Sequence, residues 1–185
     1  HAVWDARKDT KYTVIFWKQS VSDDQNASDN QKTYDYEESV TRTGTTGQAV
    51  SPNRNDRNKS YTGFSYNSSK SQSVTIAGDG TTILNVYYDR KKLTINFYEP
   101  GGWFVADELL FSYTGLYGQT LEQNGKSWPD GYKWMNKNQN HTLTFLDTFI
   151  FDNEIAQRYG SDTEINLYRQ ENEVGAVISH YKQNA

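Results

Sequence analysis

Catalysis and metal binding need side chains that exchange protons, attack carbonyls or donate lone pairs, and this chain offers few of them in useful company. Its three histidines, His1, His141 and His180, are far apart, and two lie near the ends. Neither an H-E-x-x-H pair nor a G-x-S-x-G elbow is present, so no metallohydrolase or serine hydrolase is written into a local motif. Cysteine is absent, which excludes disulfides, thiol nucleophiles and thiolate metal sites together. No cofactor and no catalytic residue are implied.

Three weaker patterns remain. Counted from Asp24, the loop DDQNASDN offers oxygen ligands at Asn26, Ser28 and Asn30. Asp29 stands where an EF-hand loop needs glycine, however, and Asp35 replaces the bidentate glutamate, so a solvated polar loop is the better reading. Asp107 and Glu108, close to Trp103, could suggest a glycosidase, but adjacency does not provide the set carboxylate separation that reaction needs. Lysine and asparagine are plentiful, so an internal Lys–Asn amide crosslink needs only one place where the two meet a carboxylate. Intact mass would reveal it by the loss of ammonia.

Aromatic residues are the largest chemical resource. Five Trp, 14 Tyr and eight Phe make up 15% of the chain, and Trp103, Tyr117, Trp128, Tyr132 and Trp134 crowd one stretch. Such rings offer rigid amphipathic area to a ligand. They equally fill cross-strand pairs in a thin β-module. Packing is the first expectation and ligand contact the second, with these five as the candidate residues.

Composition narrows the partners. Nineteen basic against 23 acidic residues give a net charge of −4, which leaves no electrostatic footprint for nucleic acid or an anionic membrane. The densest basic cluster, Arg54, Arg57 and Lys59, reads as a solvated face. No apolar run approaches the ~20 residues of a membrane span; Asp147 interrupts even FLDTFIF, residues 145–151.

The elements that would position these residues announce themselves by repetition. KYTVIFWKQ from Lys11 returns as KLTINFYEP from Lys92, and TILNVY from Thr82 returns as TEINLY from Thr163, both 81 residues later. Such a period is sought before any other feature. Alternation makes each block a strand: Tyr12, Val14 and Phe16 share one face, as do Leu93, Ile95 and Phe97. TYDYEESVTRT, GFSYN and SVTIA add strands between the first pair, and a short helix is expected after Pro52. Gly78-Asp79-Gly80 reads as a tight hairpin turn from SVTIA into TTILNVYYD. In the second unit, GLYGQTLEQNG predicts a helical turn ended by Gly125, and HTLTFLDTFIF a strand. Gly47-Gln48 and Gly118-Gln119 look like corresponding turns. The expected organisation is the end of a preceding unit at 1–10, a first unit at 11–90, a divergent second at 91–176, and the start of another at 177–185.

YTVIFWKQ, TYDYEES…TRTGTTGQ, YTGFSYN and DGTTILNVYYDR together resemble InlB B-repeat, or Listeria–Bacteroides repeat, modules of Gram-positive surface proteins. The resemblance covers Lys11 to Arg90 and the first and last strands beyond Leu93; GGWF and SWPDGYKWM depart from it. It implies an α+β, strongly β-rich fold of two tandem β-grasp-like (ubiquitin-like) units. It also implies a non-enzymatic stalk or adhesion role on an extracellular, wall-anchored protein. The partners implied are neighbouring repeat units, and host glycan, mucin or matrix protein for an adhesive function. The alternative is a carbohydrate- or mucin-binding module using the five aromatics.

Overall fold

The computed structural model describes residues 5–139, 141–143 and 150–171. These residues form eleven strands with little helix, in two compact units divided in sequence between Arg90 and Lys91. Of the preceding unit's end expected at 1–10, residues 1–4 lie outside the described residues and 5–9 carry no strand. Most of FLDTFIF and the unit start expected at 177–185 also lie outside the described residues.

The first unit runs β1 (Thr10–Gln19), β2 (Tyr34–Gly44), β3 (Ala49–Val50), α1 (Arg54–Arg57), β4 (Phe64–Tyr66), β5 (Val74–Thr75) and β6 (Ile83–Arg90). Its main sheet has the order β2-β1-β6-β4. The first and last strands lie side by side and parallel, flanked by antiparallel β2 and β4. Alternation accounts for the arrangement. Val14 and Phe16 from β1, with Leu84 and Val86 from β6, are sealed from solvent on one face. Each such aliphatic or aromatic burial contributes about 1.5–3 kcal/mol.

The helix after Pro52 forms, for a local reason. Asn53 accepts the Asp56 N–H at 2.8 Å while Asp56 accepts the Asn53 N–H at 2.9 Å, a reciprocal capping box. Tyr88 on β6 then donates its hydroxyl to the Asp56 carbonyl at 2.5 Å, pinning the helix over the sheet.

One expectation fails. SVTIA and TTILNVYYD are not a hairpin. β5 instead pairs with β3 in a separate two-stranded sheet, while β6 is taken by β1 and β4. The Gly78–Gly80 turn is closed by side chains: Asp79 accepts from the Thr81 N–H and hydroxyl, and Thr82 Oγ1 accepts the Ala77 N–H at 2.8 Å.

The second unit runs β7 (Lys92–Glu99), β8 (Glu108–Leu116), a 3-10 turn (Glu122–Asn124), β9 (Tyr132–Met135), β10 (Thr142–Leu143), α2 (Asn153–Tyr159) and β11 (Glu164–Glu171). Gly125 ends the 3-10 turn in the left-handed region, φ 67°. The sheet order is β10-β9-β11-β7-β8, and again the first and last strands are parallel neighbours.

The correspondence extends to register. Thr13 opposes Ile83 and Trp17 opposes Tyr87; 81 residues on, Thr94 opposes Glu164 and Tyr98 opposes Tyr168. Both first strands carry a β-bulge at the equivalent point, Phe16/Trp17 and Phe97/Tyr98. The two G-Q turns also match. Gly47 and Gly118 adopt φ of 86° and 87°. Each donates its N–H to a buried apolar residue, Ile76 at 2.8 Å or Phe151 at 2.7 Å, whose own N–H returns to Gln48 or Gln119. The turns fall at different spacings because the loop after β1 and strand β2 are longer than their counterparts in the second unit.

Candidate functional site

The five candidate aromatics do not form one surface. Trp134, on β9, is 2% exposed. Its ring meets Phe97 edge-on at 4.8 Å and its indole N–H donates to the Pro129 carbonyl. Trp128 packs against the same ring at 5.7 Å, and Tyr117 is half-buried against the core. These three build the interior of the second unit. Tyr132 is partly exposed, with the Arg169 guanidinium 4.7 Å from its ring centre. Trp103 is the one fully offered to solvent, at 86% exposure.

Trp103 belongs to the loop joining β7 to β8, and its companions were not singled out by sequence reasoning. Phe104 is 97% exposed and Val105 66%. The Trp103 and Phe104 rings lie 5.8 Å apart. The loop is built rather than slack. Gly101 donates its N–H to Asp107 Oδ1 at 2.9 Å, and Val105 donates to the Gly102 carbonyl at 3.0 Å, which forces Trp103 and Phe104 to the tip. A Cβ on Gly101 would fall 2.0 Å from the Val105 carbonyl oxygen, so only glycine fits there. Phe104 takes φ 62°, a conformation costly for a residue with a Cβ. Edge strand β8, which follows the loop, also exposes Leu109. The sequence signal was available: paired glycines ahead of three consecutive apolar residues, with no alternation to bury them.

The other patterns are engaged in structure. Asp107 holds the loop and lies 3.9 Å from Lys137. In DDQNASDN, Asp24 accepts the Asn26 N–H and Asn30 accepts the Ser28 hydroxyl, so both close local turns. Among the described residues no group of acidic and histidine side chains is suited to a metal. His141, at the start of the short hairpin return into β10, donates its N–H to Asn136 Oδ1 and lies edge-on to Tyr159.

A lysine, an asparagine and a carboxylate do meet in the first unit. Lys32 Nζ and Asn67 Nδ2 both donate to Asp89 Oδ2 at 2.8 Å, and Tyr34 donates its hydroxyl to Asp89 Oδ1 at 2.6 Å. Asp29 joins through Lys32 and Ser69. Burial opposes the lysine's charge, but Asp89 and Asp29 outweigh it and hold Lys32 above the ordinary lysine value. Both carboxylates thus favour the charged form of the amine. The cluster works as a clasp, fixing the long loop after β1 against β4 and β6.

No protein-family model matches the chain, and no curated protein matches it at a significant level.

Proposed function

We propose that the chain is a non-enzymatic repeat region of a bacterial wall-anchored surface protein, each unit a β-grasp-like module acting as a spacer. One observation carries the reading: all five opposed pairs of the second unit's central parallel ladder recur in the first unit at an offset of 81. Tandem units of one topology are the signature of arrays whose job is reach and presentation rather than chemistry. A sheet with its first and last strands parallel inside, plus a short crossing helix, fits the β-grasp arrangement. The resemblance of DGTTILNVYYDR and its neighbours to B-repeat modules supports an extracellular location. Antibodies against the chain should label intact cells of its source organism, with protease treatment removing the label. Signal only after lysis overturns the proposal.

A second reading is adhesion to a glycan or mucin, favoured by the exposed Trp103–Phe104 tip. Under this reading the chain binds selectively on a glycan or mucin panel, and the double variant Trp103→Ser/Phe104→Ser loses that binding while keeping its fold. A silent panel leaves the spacer reading alone.

A further inference from the structure

We propose that each unit is a shear clamp, built to bear tension applied along the chain. The argument begins with strand direction. Because β1 and β6 are parallel, the chain enters the pair at one end, at Thr10, and leaves it at the other, at Arg90. Tension between those points slides one strand along the other. Every ladder hydrogen bond between them is then loaded at once, whereas an antiparallel first-and-last pair would open one bond at a time. The clamp spans six opposed residue pairs in the first unit, Thr13–Lys18 against Ile83–Tyr88, and five in the second.

Side chains reinforce the same two strands laterally in both units. Trp17 Nε1 donates to Asn85 Oδ1 at 2.9 Å, and the side chains of Gln19 and Arg90 tie the far ends of β1 and β6 together. In the second unit Asn96 Nδ2 donates to Asn166 Oδ1 at 2.9 Å, the Tyr98 and Tyr168 rings stack at 5.1 Å, and Arg169 pairs with Glu99. Asn85 and Asn166 are equivalent positions and play the same accepting role with different donors. These ties cross the one interface that end-to-end tension must slide. The spacer reading gives the clamp its use in the cell; the mechanics do not depend on it.

The test is single-molecule pulling on the full chain. Because the sequence contains no cysteine, introduced cysteines are clean attachment points. Lys8→Cys with Lys91→Cys loads the first unit in shear. Ser22→Cys with Lys91→Cys peels β1 from β6 at one end, and Lys8→Cys with Thr81→Cys peels them from the other. Circular dichroism establishes that each variant is folded before pulling; two peeling geometries keep the comparison available if one is lost. The shear geometry is expected to rupture at about two- to fivefold higher force than either peeling geometry, since forced unfolding reads the barrier along the loaded direction. Equal forces in all geometries overturn the clamp. That outcome leaves surface labelling of cells untouched, so failure of the clamp and failure of the spacer reading are distinguishable.

Discussion

The guanidinium of Arg42, on edge strand β2, grips both carboxylate oxygens of Asp56 at 2.7 and 2.6 Å. Asp56 is 1% exposed and also closes the capping box of α1, so one side chain anchors the helix to the sheet and to its own first turn. Truncating either partner should destabilise the first unit by about 2–4 kcal/mol in urea titration. Arg42→Ala is expected to cost at least as much as Asp56→Ala, because it strands a buried carboxylate while the reverse leaves a guanidinium that is 26% exposed and that water can reach. The opposite order would show that the capping box, not the ion pair, carries the effect.

Acid should unfold the first unit through the same carboxylate. Burial pushes the Asp56 pKa up, but the Arg42 guanidinium and the Asn53 N–H outweigh it and hold the value below that of an ordinary aspartate. A depressed folded-state pKa contributes stability that is complete above the unfolded value and is lost as pH falls through the folded one. Stability of the first unit is therefore expected to decline below about pH 4. Glu38, lowered by Lys59 and Tyr61, acts in the same direction. In Asp56→Asn the pH 7 stability drops and the acid dependence shallows; a variant with undiminished acid dependence would remove Asp56 from the explanation.

Gly44 is the last residue of β2 and Gly115 the penultimate residue of β8, yet alanine should be tolerated differently at the two. At Gly44 the new Cβ meets the Ile76 Cδ1 methyl at 2.5 Å, the terminal atom of a buried aliphatic chain that can turn about its last torsion, as a rigid ring cannot. At Gly115 it meets the Phe151 ring at 2.3 Å, and that ring is fully buried. Gly115→Ala is expected to cost about 1–3 kcal/mol as an overpacking effect, and Gly44→Ala less. Thermal unfolding of the two variants, followed separately, decides the order.

Two tryptophans of the second unit should report opposite environments. Trp134→Ala removes a core ring and should cost about 3–5 kcal/mol. Trp103→Ser should change stability by no more than about 0.5 kcal/mol while removing, among the described tryptophans, the emission most accessible to iodide quenching. If Trp103 proves shielded from iodide, the tip is covered and the adhesion reading loses its surface.

How far the sequence revealed this depended on the length of each element. KYTVIFWKQ and KLTINFYEP were readable because strands of eight to ten residues show a clear two-residue alternation, with one face buried. β3 and β5, two residues each, are too short to show any period, so SVTIA was assigned to its sequence neighbour across an apparent turn. Thr82 and Asp79 close that turn with side chains, and the main-chain partner of β6 comes from far away in β1, a choice made by the core. The aromatics failed as a group for a related reason. Composition counts Trp103 and Trp134 alike, but Trp134 lies within a strand and Trp103 follows two glycines in a loop. The repeated G-x-x-G-Q pattern at 44–48 and 115–119 carried more structural information than its Gly-Gln half suggested.

Pairing the first strand with the last also sets when each unit can exist. Val14 meets Leu84, and Ile95 meets Ile165, seventy residues later in both cases. Such distant partners make folding slow relative to locally wired folds, because the chain must close a long loop before its centre forms. On a ribosome, a unit lacking its closing strand has no middle to its sheet, and its first strands present a bare apolar face. Assembly must therefore proceed in whole modules, each waiting for its final residues to emerge.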